Sequence, residues 1–142
     1  MKKVNKTCKV IIDTNIWISF LIGKNLKGLQ KYIYYETVFI ITCKEQIVEL
    51  TEVFQKPKIR KYFPQAKIDE FFDLLGEVSL LADVTTISDI CRDPKDNYLL
   101  ALAIDADADY LITGDADLLD IRQIEKASIV SFSDFEKIMA TL

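Results

Sequence analysis

Short apolar segments alternate with segments of helical character along this chain, and that alternation limits the folds open to it. Residues 8–12, 38–41 and 110–113 have the composition of buried strands, and helical segments lie between them. Strands that alternate with helices pair in parallel, because each helix carries the chain back across the sheet. We therefore predict an α/β fold of three layers, with a central parallel sheet of four to five strands between two layers of helices.

Capping signals locate several of the predicted helices. Thr42 and, three residues later, Glu45 predict a capping box that opens a helix running to residue 54, and this helix carries Glu49. Asp93 predicts the start of a buried helix that contains LLALAIDA, and Ser133 predicts the start of the last helix. The remaining predictions are helices over residues 14–22, 25–35, 59–62, 65–76 and 118–121, and strands over residues 80–85 and 128–132.

The length of 142 residues, half of them hydrophobic, predicts one domain over residues 1–142. The apolar runs are far shorter than the roughly 20 residues that cross a bilayer. The basic start of the chain leads into a short apolar stretch and then an acid, without a cleavage site of small residues. We therefore expect no membrane contact and a cytoplasmic location.

Histidine is absent from the chain, which excludes several catalytic and metal-binding chemistries. Neither a Ser-His-Asp or Cys-His arrangement nor a zinc finger can be built, and the usual general base at neutral pH is missing. The three cysteines are odd in number and contain no C-x-x-C pair, so we predict buried free thiols rather than disulfides. Any hydrolytic chemistry must therefore depend on carboxylates.

Four acidic residues follow predicted strands or lie on the helices after them. They are Asp13 in VIIDTN, Glu49 in IVELTEVF, Asp96 in DPKDNYLLALA and Asp115 in YLITGDADLL. In an open α/β sheet, groups from distant parts of the sequence meet at the carboxyl ends of the strands. Carboxylate oxygens are hard ligands for magnesium, manganese or calcium, and a divalent cation relieves the repulsion between them. The sequence therefore predicts a shared carboxylate metal site.

Each acid also has a structural explanation when it is taken alone. Asp13 can cap the helix after the first strand, and Asp96 is favoured in a first helical turn by the helix dipole. Asp115 and Asp117 can be turn residues after a glycine, and Glu49 can be a solvated helix residue. The combination of these positions, in a chain with no other catalytic residue type, favours the metal site.

The same residues resemble the successive motifs of PIN-domain ribonucleases. The matching segments are VIIDTNIWIS, the helical glutamate of IVELTEVFQKPK, the run DPKDNYLLALAIDADADYLITGD and the ADLL that follows. The resemblance extends over residues 9–136 and is closest to the single-domain prokaryotic branch of toxins from toxin–antitoxin pairs. It implies a divalent-metal-dependent endoribonuclease that uses magnesium or manganese. RNA would be its substrate, and an antitoxin protein and a second copy in a homodimer would be its partners.

The resemblance also assigns roles to individual acids. Asp13, Glu49, Asp96 and Asp115 match the catalytic acids that bind the metal, and Asp117 matches an additional acid present in many members. Asp13 and Asp115 are expected to be direct ligands because both follow strands, and Asp96 is the next candidate. Glu49 binds the metal directly or through water, and whether one or two ions act stays open.

Two polar residues beside these acids, Asn15 and Thr113, are candidates for supporting them. Glu45 is an alternative to Glu49 for the helical role. The capping box already accounts for Glu45 structurally, so Glu49 is preferred.

The distribution of charge bears on RNA binding, because a net charge of −4 would repel phosphate if it were spread evenly. Residues 56–67 contain five basic side chains, two aromatic ones and no acid. This stretch can contact an RNA backbone, although a solvated helix with buried aromatic residues explains the same pattern. The candidates for RNA contact are Lys56, Lys58, Arg60 and Lys61.

Other classes of protein fit the sequence less well. A phosphoacceptor or phosphatase domain also has an acid after its first strand, but the dehalogenase-like type needs a second acid where this chain has Asn15, and the receiver type needs an adjacent acid pair. A dinucleotide-binding domain needs a glycine-rich turn that DTNIW lacks. A catalytically silent PIN-like interaction module stays open, because a fold can persist without activity.

Overall fold

Strands and helices alternate along the chain in a computed structural model, which describes residues 7–23, 28, 30–32 and 38–141. The strands are β1 (Cys8–Ile12), β2 (Val38–Thr42), β3 (Ser79–Leu81), β4 (Tyr110–Ile112), β5 (Gln123–Ile124) and β6 (Ala127–Val130). The helices are α1 (Thr14–Gly23), α2 (Lys44–Gln55), α3 (Pro57–Arg60), α4 (Gln65–Val78), α5 (Asn97–Asp105), α6 (Ala116–Leu119) and α7 (Phe132–Ala140), with a 3-10 turn (Pro94–Asp96) before α5. Residues 28 and 30–32 are also helical, and the rest of the helix predicted over 25–35 lies outside the described residues.

The sheet reverses its direction of growth between β1 and β4. Its strand order is β3-β2-β1-β4-β6-β5, and the pairs are parallel except for the antiparallel β5 and β6. The chain moves outward from β1 through β2 to β3 and returns to β4 on the other side of β1. Such a reversal opens a crevice at the carboxyl ends of the two strands, where open α/β sheets bind their ligands.

Successive residues of the central strands face two separate cores. Val10 and Ile12 of β1 pack with residues of α1, α2, α4 and α7. Ile11 packs on the opposite face with Leu111 and with residues of α5 and α6. The three-layer α/β fold is therefore confirmed, with six strands in the described part of the chain instead of four to five. The three cysteines are buried and free, as predicted.

Two predicted helix caps are wrong. β2 continues through Thr42, whose hydroxyl donates a hydrogen bond to Oε1 of Gln46 at 2.7 Å instead of capping a helix. Cys43 holds the N-cap position of α2 without a side-chain hydrogen bond. The cap of α7 is Ser131, whose hydroxyl accepts a hydrogen bond from the backbone of Asp134 at 3.1 Å, and not the predicted serine two residues later.

The strand β5 was not predicted, because it has two residues and its turn lacks the usual glycine. The turn to β6 consists of Glu125 and Lys126, and Glu125 has a φ of 52°. Arg122, directly before β5, has a φ of 69°. Other predicted elements are shifted: the helix over 59–62 lies at Pro57–Arg60, the helix over 118–121 at Ala116–Leu119, and the strand over 80–85 is reduced to Ser79–Leu81.

The helices of the described ranges are too short or too polar to cross a membrane.

Candidate metal centre

The candidate site lies at the carboxyl ends of β1 and β4, where the sheet reverses. The backbone N–H of Asp13 donates to the carbonyl of Ile112 at 2.9 Å, and that of Thr113 donates to the carbonyl of Val130 at 2.9 Å. These bonds continue the sheet pairing one residue beyond β1 and β4. They hold the first residue after each strand beside its neighbour.

Asp13 is a buried carboxylate, 4 % exposed, held by neutral donors. The hydroxyl of Thr113 donates to its Oδ2 at 2.7 Å, and the backbone N–H of Asn15 also donates to this carboxylate. Burial raises the pKa of Asp13, these two hydrogen bonds oppose the rise, and the charges of Glu49 and Asp115 add to it. Asp13 is therefore ionised at a cost unless a cation binds nearby.

Asp96 and Asp115 are brought together by two short helical turns. The 3-10 turn that ends at Asp96 is capped by Asp93, whose side chain accepts from the backbone of Lys95 at 3.1 Å. Asp115 caps α6, and its own N–H donates to the hydroxyl of Thr113 at 3.0 Å. Burial, a hydrogen bond with the Asp115 side chain and the charge of Asp13 raise the pKa of Asp96 to about 7. Without a cation, the surroundings of Asp96 therefore favour its protonated form.

Glu49 lies on α2 and is held by two hydroxyl groups. Its Oε1 accepts hydrogen bonds from Thr14 at the start of α1 and from Tyr98 on α5, both at 2.6 Å. The charge of Glu49 contributes to the raised pKa of Asp13, so the two carboxylates lie within electrostatic reach of each other. Residues of α1, α2 and α5 thus converge on one carboxylate.

The buried side chain of Gln46 ties α2 to the end of β1. Its amide nitrogen donates to the carbonyl of Ile12 at 2.5 Å, while its oxygen accepts from Thr42. Gln46 is completely buried, so breaking this pair of bonds would leave polar groups unsatisfied. The connection fixes the helix that carries Glu49 against the strand that leads into Asp13.

Asp117 differs from the other candidate acids because it has a cationic partner. Its Oδ1 lies 2.8 Å from the guanidinium of Arg92, which also contacts Asp120 at 2.6 Å. Its backbone N–H donates to the carboxylate of Asp115 at 2.9 Å. Asp117 therefore supports the loop of Asp115, with its own charge largely offset by Arg92.

The remaining predicted residues fall into two groups. Asn15 contributes its backbone N–H to Asp13, and its side chain is exposed. The basic residues Lys56, Lys58, Arg60 and Lys61 are exposed on and beside α3. They begin seven residues after Glu49, about 10 Å farther along the axis of α2. In the described part of the chain, none of them forms an ion pair with a site acid.

The two aromatic residues of the basic stretch differ in their exposure to solvent. Phe63 packs against Phe54, with ring centroids 5.8 Å apart, so it belongs to the core. Tyr62 is 57 % exposed, and the ammonium group of Lys61 lies 5.1 Å from the centre of its ring. The explanation by buried aromatic residues therefore accounts for only one of the two.

Sequence reasoning did not identify the contacts that Tyr98, Gln46, Arg92 and Thr14 make with the site. Tyr98 follows Asp96 by two positions and is the one aromatic residue of α5. Nothing in the local sequence distinguishes it from an aromatic residue of the core. The other three residues act through partners far away in the sequence.

The acids have the chemistry of a cation site, although they do not form a closed ligand set. Among the residues that the structure describes, no three His, Cys, Asp or Glu side chains are assembled as a metal-binding group. The donors are carboxylate oxygens with raised pKa values at Asp13 and Asp96, and neutral hydroxyls surround them. All-oxygen donors with excess negative charge suit a hard divalent cation. Binding it would require the carboxylates to move closer together.

Comparisons with known proteins agree with the fold. A family model described as PIN domain matches residues 9–117. The chain is 33 % identical over 130 residues to the uncharacterized protein MJ1680 of Methanocaldococcus jannaschii, covering 89 % of this chain and 83 % of the relative.

A solved structure shares the architecture at low sequence identity. It is the crystal structure of VapBC2 from Rickettsia felis bound to a DNA fragment from their promoter. The match has a TM-score of 0.56 and 17 % identity, and covers 85 % of this chain and 96 % of the solved chain. At that identity the likeness concerns the fold alone.

Proposed function

This chain belongs to the PIN-domain family, and on that basis we propose that it is a divalent-metal-dependent endoribonuclease that hydrolyses RNA phosphodiester bonds. PIN domains are generally nucleases. The observation that carries the proposal is the cluster formed by Asp13, Glu49, Asp96 and Asp115, with which the described Lys and Arg residues form no ion pair. Partly buried carboxylates within electrostatic reach of one another cost a fold free energy, and a bound divalent cation would offset that cost.

Magnesium or manganese is the cofactor that this set of donors favours. Asp13, Asp96 and Asp115 are the proposed direct ligands, Glu49 binds directly or through water, and Asp117 supports the loop. A bound ion of this type lowers the pKa of water and stabilises charge on the attacked phosphate and the leaving oxygen. Hydrolysis can then proceed in a chain without histidine.

The chain's own residues prepare the site in three ways. Thr113 orients Asp13 through a hydrogen bond at the end of β4. Asp96, whose pKa is raised to about 7, must lose its proton before it can bind a cation. Thr14 and Tyr98 restrain Glu49 through two hydrogen bonds.

We propose RNA as the substrate and an antitoxin protein as a partner. The resemblance to the single-domain prokaryotic toxins supports both, and the structural likeness to VapBC2 supports the corresponding fold. A cytoplasmic location and a homodimer belong to the same proposal. The basic stretch beside α3 is the proposed contact for the RNA backbone, away from the acids.

The test is cleavage of a mixed RNA pool by purified protein with magnesium, manganese or a chelator. The comparison is between the wild type and an Asp13→Asn, Asp115→Asn double variant whose fold is verified by circular dichroism. Asparagine keeps the shape and the capping ability of aspartate but removes the charge that binds the cation. Cleavage that requires both the metal and the two aspartates is the expected result.

Two other outcomes would change the proposal. Cleavage that persists in the double variant or in chelator would remove these acids from the mechanism. A wild type that neither binds manganese nor cleaves RNA would favour the catalytically silent interaction module.

A further inference from the structure

The carboxylate of Glu49 is held asymmetrically, and the asymmetry points to a role for Tyr98. Both hydroxyl donors, from Tyr98 and Thr14, reach the same oxygen, Oε1, at 2.6 Å. Within the described residues, the second oxygen, Oε2, accepts no hydrogen bond. One oxygen is therefore engaged by the fold, and the other is left available to the site.

Tyr98 connects Glu49 to the turn that carries another acid. It lies two residues after Asp96, on the first turn of α5, whereas Glu49 lies on α2. Its hydroxyl is also 3.4 Å from that of Thr14, so the three side chains form a closed triangle of polar contacts. Movement of Glu49 about its terminal bond would break two short hydrogen bonds at once.

Packing alone does not require a hydroxyl at this position. A phenylalanine ring would fill the same volume, and the hydroxyl instead has to be satisfied by a partner when it is partly buried. That partner is one of the acids of the proposed centre and not a backbone carbonyl. Hydrogen bonds to one oxygen of a metal-binding carboxylate are a known way to orient the other oxygen.

We infer that Tyr98 is a positioning residue: its hydroxyl, together with that of Thr14, holds Oε1 of Glu49 so that Oε2 is presented to a divalent cation. This inference rests on the metal-dependent function proposed above. It concerns cation binding in the absence of RNA, so it can be measured without any cleavage.

The experiment is titration of RNA-free protein with Mn²⁺, with free Mn²⁺ followed by electron paramagnetic resonance. The variants are Tyr98→Phe, which removes only the hydroxyl, and Tyr110→Phe as a matched control. Tyr110 is a tyrosine of the same domain that packs on Phe135, at the end of β4 opposite to the acids. Loss of a supporting hydrogen bond weakens metal binding by about tenfold or more. We expect this loss for Tyr98→Phe and no change for Tyr110→Phe.

Two further variants separate positioning from a general effect on folding. Thr14→Val removes the second donor and should also weaken binding, whereas Thr14→Ser keeps the hydroxyl and should restore it. In a Glu49→Gln background, titrated to millimolar Mn²⁺, Tyr98→Phe should cause little additional loss, because its target is already altered. Thermal melting in chelator verifies that each variant is folded.

The results also distinguish this inference from the proposed function. Equal Mn²⁺ affinity of Tyr98→Phe and the wild type, or an undiminished loss in the Glu49→Gln background, would overturn the inference and leave the nuclease proposal intact. A wild type that binds Mn²⁺ tightly but cleaves no RNA would refute the nuclease proposal while the role of Tyr98 stands. A wild type that binds no Mn²⁺ would overturn both.

Discussion

Two groups of acids lie at opposite ends of the same central strands and have different interaction partners. At the amino ends of β4 and β6, Lys126 lies 3.0 Å from Asp107 and 3.6 Å from Asp109. Asp109 also accepts a hydrogen bond from the backbone N–H of Lys9 at 2.8 Å. At the carboxyl ends of β1 and β4, the site acids instead face one another and neutral hydroxyls.

The difference separates acids whose charge is satisfied within the protein from acids whose charge is not. An acid with a nearby cation and a backbone donor is satisfied within the chain. Asp13 and Asp96 have raised pKa values, which means that the folded environment disfavours their charge. Proteins accept such local destabilisation where function needs it. The carboxyl-end cluster is therefore the one to which the proposal assigns an external cation.

The largest expected difference is in RNA cleavage, when an aspartate is replaced by asparagine at each end of the central strands. Asp13→Asn should reduce RNA cleavage by about a hundredfold or more, because loss of a ligand removes several kcal/mol of transition-state stabilisation. Asp109→Asn should leave cleavage within about twofold of the wild type, because a surface pair contributes little at a distance. Initial rates at saturating magnesium measure both. Similar losses for the two variants would erase the distinction between the clusters.

A smaller contrast is expected in the stabilisation that a cation provides. Mn²⁺ at a hundred times its dissociation constant should raise the unfolding free energy of the wild type by about 2.7 kcal/mol. Asp109→Asn should retain this gain and Asp13→Asn should lose most of it. Urea denaturation with Mn²⁺ and with chelator gives the difference directly. Stabilisation of the Asp13→Asn variant by Mn²⁺ would assign the cation to another site.

The affinity for Mn²⁺ and the stability of the metal-free protein should depend on pH in opposite ways. The pKa of Asp96 is raised to about 7, so protons compete with the cation below that value. Mn²⁺ affinity should rise about tenfold from about pH 6 to about pH 8, as Asp96 loses its proton. Calorimetric titration at several pH values measures this rise. An Asp96→Asn variant should show weaker binding with a flatter profile.

The unfolding free energy of the metal-free protein should fall as the pH rises. An acid whose pKa is raised on folding holds its proton more tightly in the folded chain, so the unfolding free energy falls as pH increases from about 4 to about 7. Because Asp96 is partly exposed, we expect a fall of only about 1 kcal/mol. Urea denaturation in chelator provides the measurement, and constant stability across that range would mean that the fold does not disfavour the charge of Asp96.

The smallest effect is expected at the amino ends, where the acids support the fold. Asp109→Asn should lower the unfolding free energy by about 0.5 to 1 kcal/mol, because it weakens a charge-assisted hydrogen bond and a surface ion pair. Lys126→Gln should also lower the stability, because it removes the cationic partner of Asp107 and Asp109. Salt should reduce both effects. A gain in stability from Asp109→Asn would mean that this cluster is strained as well.

Sequence reasoning predicted the parts of the fold that depend on local patterns. β1 and α1 were located within one residue, because the continuous apolar run of the strand ends at an acid that can cap the helix after it. The buried α5 was also located, although Asp93 and Pro94 begin the 3-10 turn before it and the helix itself starts at Asn97. The positions of the four acids at the sheet followed from these elements, and their roles as metal ligands remain predictions.

The features that sequence reasoning missed depend on partners distant in the chain. Thr42 and Glu45 satisfy the spacing of a capping box, yet Thr42 stays paired in β2. Its hydroxyl donates to Gln46, which in turn reaches the distant carbonyl of Ile12. The hydroxyl of Tyr98 meets Glu49 across 49 positions of sequence, which no local pattern can indicate. β5 has only two residues and a turn without glycine, so its pattern carries too little information to be recognised.

The hairpin of β5 and β6 has strained backbone positions where a substitution should raise the stability of the protein. Arg122 and Glu125 hold left-handed backbone angles, which cost a residue with a side chain about 1 to 2 kcal/mol relative to glycine. Replacing either residue by glycine would relieve this strain. Part of the gain in stability would be lost, because glycine also increases the conformational entropy of the unfolded chain. The turn that contains Glu125 lies at the amino end of β6, whereas Arg122 lies nearer to α6. Glu125→Gly should therefore improve heat tolerance without altering the proposed cation site, which would leave more room for redesigning the acids themselves.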